Sequence, residues 1–299
     1  MPGMARPVII ALAFTAMLPA ANAQDMADVV IEAKRVSDNV YMLTGAGGNI
    51  GLSVGEDGAF LIDDQFAPLT ERILATIAEL SPAPVRFVVN THWHGDHTGG
   101  NEHLGEAGAI IVAHENVRTR MSTDQFMKAF NRTVPASPEG ALPVITFAQS
   151  MTFYWNGDEV QVFHVGPAHT DGDSIVFFRE ANVIHMGDTF FNGMYPFFDV
   201  STEGSIAGMI EAADTVLRLA NDRTKIIPGH GPLGGIDELR ASRAMLMTVH
   251  DRVQKLIDDG ATKEEVIAAK PTRDLDADWG GGFMKPDRWV GIVYDGMVK

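Results

Sequence analysis

A chain of 299 residues, 45% hydrophobic and 21% charged, is long enough to bury a sizeable core and too apolar to be globally disordered. Its 23 Lys and Arg against 39 Asp and Glu give a net charge of −16, which argues against a nucleic-acid partner, since that affinity comes largely from cations on phosphates. There is no cysteine, so disulfides and thiolate metal sites are excluded.

Taken in order, residues 1–23 read as a secretory signal: Arg6 in the n-region, an apolar stretch from Val8 to Leu18, and Ala21-Asn22-Ala23 at the cleavage site. That stretch falls short of the ~20 apolar residues a spanning helix needs. The expectation is a mature chain 24–299, a single domain, exported to the periplasm or secreted, with no membrane association after cleavage. Val29 to Arg35 predicts an edge strand. Val40 to Leu43, Ile50 to Val54 and Ala59 to Asp63 predict antiparallel strands separated by the turn-rich stretches 44–49 and 55–58. The first separator is either a plain hairpin turn or a loop overhanging a cleft.

Leu69, Ile73, Leu74, Ile77 and Leu80 recur at helical spacing, and Pro82 and Pro84 end that helix before the strand Val85 to Val89. A short helix is expected over Asn101 to Glu106 and a strand over Ala109 to Ala113. The stretch 114–143, with Met121, Phe126, Met127 and Phe130, is expected to be a surface helix packing these side chains on the body, with a flexible lid over a cleft as the alternative. Strands resume over 151–154 and 159–165, joined by Asn156-Gly157, a hairpin signal, and continue over 174–178 and 182–186. A helix over 202–219, a strand over 225–227 and a mainly helical remainder from Ile236 complete the chain. Strands followed by helix, twice over, predict two sheets packed face to face with helices outside.

The chemistry concentrates at strand ends. Asn90-Thr91-His92-Trp93-His94-Gly95-Asp96-His97 follows the strand at 85–89 and holds three histidines and an aspartate within six residues. Three later strands are each followed by one candidate: His169, Asp188 and His230. His92 and His94, two apart on extended chain, can face the same way. Gly95 is expected to let the chain turn so that Asp96 and His97 face a neighbouring position. Seven candidates exceed the four ligands of one tetrahedral zinc and would suit two metals. His103, His114, His164, His185 and His250 are expected to be ordinary surface or core histidines, His164 and His185 lying nearest the ligand loops. Trp93 is expected to point away from the metals, as core or cleft wall.

His-X-His-X-Asp-His followed by a separate His, Asp and His resembles the metallo-β-lactamase superfamily, and the match spans nearly all of the mature chain. The resemblance implies an α+β fold, an αββα four-layer sandwich with the metals at one edge. It implies two Zn2+ per chain: His92, His94 and His169 on the first, Asp96, His97 and His230 on the second, and Asp188 bridging them or completing the second site. Asp63 would orient ligands through hydrogen bonds. The implied activity is hydrolysis of a small-molecule substrate. Zinc lowers the pKa of bound water to about 7, giving a hydroxide nucleophile, with Asp96 as catalytic carboxylate orienting it or moving a proton. Two zincs less Asp96, Asp188 and hydroxide leave about +1 of local charge, which suits an anionic substrate.

The export signal and His169-Thr170-Asp171-Gly172-Asp173 are similar to true β-lactamases. Zinc lactamases of the one-cysteine subclass, however, carry a cysteine where Asp188 stands and a lysine where Phe191 stands. Asp188 matches superfamily members acting on thioesters, lactones or phosphodiesters. The expected activity is weak or promiscuous β-lactam hydrolysis, with an exported thioester, lactone or phosphodiester hydrolase as the alternative. An iron-dependent persulfide dioxygenase shares the fold but has a mononuclear site, and a flavodiiron-type protein would carry a carboxylate at His94.

Overall fold

The computed structural model describes residues 26–298, so the expected leader 1–23 lies outside the described residues. Strands β1 (Glu32–Arg35), β2 (Val40–Thr44), β3 (Ile50–Ser53) and β4 (Ala59–Ile62) form an antiparallel meander. Helix α1 (Thr70–Leu80) carries the chain to β5 (Val85–Asn90), and α2 (Gly95–Thr98) and α3 (Asn101–Glu106) carry it to β6 (Ile110–His114). These crossovers make β4, β5 and β6 parallel. After α4 (Glu115–Met121), a separate hairpin of β7 (Gln125–Met127) and β8 (Arg132–Val134) precedes β9 (Ile145–Phe147), which completes a seven-stranded sheet beside β6.

The second sheet has six strands: β10 (Ser150–Trp155), β11 (Asp158–His164), β12 (Ser174–Phe178), β13 (Val183–His185), β14 (Lys225–Ile227) and β15 (Gly234–Gly235). Asn156 and Gly157 have φ of 52° and 77°, the tight-turn geometry that pairs Trp155 with Asp158. Helix α5 (Ile206–Leu219) links β13 to the parallel β14, and α6 (Ile236–Asp258), α7 (Lys263–Ala268), α8 (Asp276–Trp279) and α9 (Pro286–Met297) follow.

Strand alternation separates the layers. Phe60 and Ile62 of β4 point inward, with Val89 and Val112, against Val160, Val176 and Phe178 of the facing sheet. Phe60 meets Phe153 edge-on at 5.0 Å between centroids. Ala59 and Leu61 point outward to Ile73 and Ile77 of α1 and Leu104 of α3. On the opposite side Ile175, Phe177, Ile184 and Ile226 receive Ala213 and Val216 of α5 and Leu239 of α6. The outcome is the expected α+β, αββα sandwich. Among the described residues no helix is long and apolar enough to cross a membrane.

Three local expectations are corrected. The helix expected from Thr202 starts at Ile206, because Ser205 caps it by accepting from Gly208 N at 3.1 Å. The stretch 114–143 is not a continuous surface helix. The Ser122 and Thr123 hydroxyls donate to Thr119 O at the end of α4, and Asn131, with φ of 47°, turns the hairpin that carries Phe126 and Met127. Gly95 is not a conformational necessity: its φ is ordinary and a Cβ there would meet nothing within 4 Å.

Candidate metal centre

The strand ends of both sheets meet at one edge of the sandwich. Beyond β5 the chain bends through Thr91, His92 and Trp93, is extended at His94, and then turns into α2, which carries Asp96 and His97. His169 lies in the loop after β11, Asp188 in a single 3-10 turn after β13, and His230 in the loop after β14. All seven predicted residues come together in two groups that could each hold a metal ion: His92, His94, His169 and Asp188, and beside them Asp96, His97 and His230. Within each group one donor atom per residue lies within 4.8 Å of the others.

Asp188 reaches both groups. Its carboxylate oxygens are 3.4 Å from His169 Nε2 in the first group, and 3.1 Å from His97 Nε2 and 3.4 Å from His230 Nε2 in the second. Asp96 Oδ2 lies 3.4 Å from His230 Nε2. Asp96 and His230 keep side-chain exposures of 27% and 24%, whereas the other five are at 7% or less, so these two open onto solvent.

The outer nitrogens of the imidazoles are engaged elsewhere, which fixes the inward ones. His97 Nδ1 donates to Asp63 Oδ2 at 2.7 Å. His92 Nδ1 donates to Thr91 Oγ1 at 3.0 Å, and Thr91 Oγ1 in turn donates to Asp63 Oδ2 at 2.8 Å. His169 Nδ1 donates to Phe197 O at 2.8 Å. Each arrangement leaves Nε2 as the free donor atom. His94 is turned the other way: its Nδ1 lies 2.8 Å from His169 Nε2, while its Nε2 lies 3.5 Å from Asp199 Oδ2.

Asp63 thus bonds His97 directly and is linked to His92 through Thr91. It is fully buried in the left-handed region, with φ of 61°, a conformation costly for anything but Gly, Asn or Asp.

Two orienting residues have no counterpart in the sequence reading. Asp199 is fully buried, faces His94, and its N–H donates to His169 O at 2.7 Å. Asn49 clamps the loop bearing His230: its Nδ2 donates to Pro228 O and Gly231 O at 2.9 Å each, and its N–H to Gly229 O. Asn49 had a local signal in the Gly-rich separator 44–49; Asp199, thirty positions beyond His169, had none.

That separator does overhang the site. A Cβ on Gly48 would fall 2.0 Å from His97 Cε1, and one on Gly229 would fall 2.0 Å from Asp188 Oδ1, so backbone is pressed directly against both side chains. Of the remaining histidines, His185 donates to Asn49 O at 3.0 Å, and His164 stacks on His114 at 4.0 Å. Trp93 packs with Val117, Met121 and Leu142 while one side of it lines the cleft.

Electrostatics matches a cation site. Burial pushes the His92 imidazole well below its ordinary value, and His97 adds to that, so it is a neutral ligand. Burial likewise lowers His169, to about 4. Burial opposes charge at Asp188 too, but His230, His97 and His169 outweigh it and hold the carboxylate ionised. His230 is raised to about 9, the attraction of Asp188 and Asp96 overcoming burial.

His92 Nε2 and Asp188 Oδ1 are buried without any hydrogen bond, which is costly unless something charged coordinates them. Five imidazoles and two carboxylates, with no thiolate, form a donor set that suits zinc. The residues present fit the group.

The two groups form the floor of a cleft of about 640 Å³ walled by Phe66, Trp93, Met127, Phe130, Phe191 and Phe197 among others. Phe191 stacks on His230, with centroids 5.0 Å apart and planes at 23°.

Comparison with known proteins bears on the same residues. A profile described as the metallo-beta-lactamase superfamily matches residues 43–231, which include six of the seven candidate ligands before His230 and His230 itself. A type 2 metallo-beta-lactamase of Bacteroides fragilis is 21% identical over 80% of this chain and 94% of its own. A hydroxyacylglutathione hydrolase of Pelagibacter ubique is 27% identical over 49% of this chain and 52% of its own. Among solved structures, a metallo-beta-lactamase from Pontibacter korlensis superposes with a TM-score of 0.60 at 23% identity, covering 73% of this chain and 99% of that one. With the profile spanning well over half its length, this chain belongs to the metallo-beta-lactamase superfamily.

Proposed function

We propose that this chain is a dinuclear zinc hydrolase that opens β-lactam amides. The observation that carries the reading is the pair of adjoining ligand groups sharing Asp188 at the floor of an open cleft. His92, His94 and His169 would hold one ion and Asp96, His97 and His230 the other, with the Asp188 carboxylate between them. Bound there, zinc supplies a water of lowered pKa and a Lewis acid for the scissile carbonyl.

The chain's own residues do the rest. Asp63, Thr91, Phe197 and Asp199 fix the imidazole orientations before substrate arrives, so little reorganisation is left for the reaction step. Asp96 is the half-buried carboxylate at the floor, ionised with its pKa held to about 2; burial works against that, and His97 and His230 overcome it. It is the group placed to orient the attacking water. Phe191, Phe197 and Trp93 give the cleft apolar walls.

A second reading, hydrolysis of a thioester, lactone or phosphodiester, is favoured by two features: a carboxylate in the shared position, and Phe191 packed on His230 in place of a substrate-gripping cation. One experiment separates them: turnover by the zinc-loaded mature chain of a β-lactam panel beside thioester, lactone and phosphodiester substrates. Hydrolysis of lactams at kcat/KM comparable to or above the other classes supports the first reading. Turnover of another class far above any lactam replaces it with the second, and hydrolysis of none defeats both.

A further inference from the structure

The β7–β8 hairpin gives the cleft a cation that the fold itself does not use. Met127 and Arg132 are direct cross-strand partners, and Val134 follows two residues on, so strand alternation puts all three on the same face. That face lines the cleft, whereas Phe126 on the opposite face is left 53% exposed. Apart from the candidate metal ligands, the charged residues lining the cleft are Arg132 and Arg288. Arg288 is committed: its guanidinium lies over the Phe130 ring at 4.7 Å and donates to Ala129 O at 3.0 Å. Arg132 is exposed and, among the described residues, makes no side-chain hydrogen bond or ion pair. The hairpin that presents it is anchored, since Lys128 N donates to Ser201 Oγ at 2.8 Å and the Gln125 side chain bonds Arg120 O at 3.1 Å.

We propose that the cleft takes a substrate with a large apolar body and one anionic group, and that Arg132 is the specificity residue receiving that group. The proposal rests on the hydrolase reading above and names the substrate class of the same site. A free guanidinium beside apolar walls binds a carboxylate or sulfate through short, charge-assisted, bidentate hydrogen bonds. A net charge of −16 repels anions at long range, so their capture here has to be local. The walls supply the complementary part: Met127, Phe130, Phe66 and Phe197 offer apolar area to a body that fits in about 640 Å³.

The test measures binding to the zinc-loaded mature chain by calorimetry, with three probes: 4-phenylbutyrate, octyl sulfate below its micelle concentration, and neutral 4-phenylbutanol. Arg132→Gln should weaken at least one anion about tenfold, the scale of a lost charged hydrogen bond, and leave the alcohol within twofold. Arg132→Lys should restore part of the loss, and Met127→Ala should weaken all three probes. The anion that loses more identifies the source as carboxylate or sulfate. The proposal is overturned if neither anion binds, if Arg132→Gln changes both by less than twofold, or if the alcohol weakens equally. Because binding is read without turnover, a chain that hydrolyses nothing yet shows the Arg132 effect defeats only the hydrolase reading. A chain that hydrolyses lactams with unchanged probe binding defeats only this proposal.

Discussion

Asp63→Asn is the substitution that most directly probes how the site is built. The Asp63 carboxylate accepts three hydrogen bonds: from Thr91 N at 2.7 Å, from Thr91 Oγ1 at 2.8 Å and from His97 Nδ1 at 2.7 Å. Asparagine tolerates φ of 61° and can keep an oxygen toward Thr91 N, but its amide NH2 then faces the other two donors. The His97 contact turns repulsive while Nδ1 carries its proton, and the Thr91 hydroxyl must turn to accept from the amide instead of donating to it. His97 loses its tautomer lock, and His92 is loosened one step further on through Thr91. Losing such a partner costs roughly 10- to 100-fold in metal affinity, about 1.4 to 2.7 kcal/mol.

Because two ligands depend on this one group, the upper end is expected, with the ion held by Asp96, His97 and His230 lost first. Asp63→Ala would be less informative. It strands three buried donors at about 1–3 kcal/mol each, a sum that rivals the ~5–15 kcal/mol stability of a whole domain. The assay is zinc competition against a chromophoric chelator, with a thermal melt to show that the variant is folded. A folded Asp63→Asn chain holding both ions within threefold of wild type would refute the assigned role.

Gly48→Ala should leave the fold intact but displace the His97 ring, since the new methyl would sit 2.0 Å from Cε1; metal analysis should show the second ion largely missing, and a full complement would contradict the close approach. Asp199→Asn should weaken the first group about tenfold or more through His94 while sparing the second, read by cobalt substitution and its absorption spectrum. Equal effects on both groups would count against that assignment. Burial holds the His185 imidazole below its ordinary 6.5, so the folded chain binds this proton less readily than the unfolded chain. Its contribution to stability is full above about pH 6.5 and is lost as pH falls below that toward the folded value. Urea midpoints at pH 7.5 and 5.5 should accordingly drop less for His185→Gln than for wild type, and equal drops would contradict the buried neutral state.

How much of this could be read from the sequence depends on whether a feature is local. The seven candidate ligands were legible because each follows a strand with turn residues beside it, and a strand end is a local signal. The layers were legible because strands followed by helix recur twice along the chain; which sheet face Phe60 and Ile62 take, against Ala59 and Leu61, was not, since all four are apolar and buried. Asp199 was not legible: its role comes from tertiary packing that returns residues 197–199 to His94 and His169. The hairpin is not legible because its strands are only three residues each, and the turn at Asn131 shows itself only in its backbone conformation. Gly95 misled in the other direction, since a glycine beside ligands suggests a needed turn and its backbone has no such need.

The central claim is that two metal ions act together at the shared carboxylate of Asp188. The measurement that tests it is elemental analysis of the purified protein during stepwise removal and return of zinc, with lactam and thioester turnover followed at each step. The account predicts close to two zinc ions per chain, activity lost on chelation and restored with the ions, and Asp188→Ala unable to hold both. Full turnover at one ion or fewer per chain, or unchanged turnover after exhaustive chelation, would contradict it.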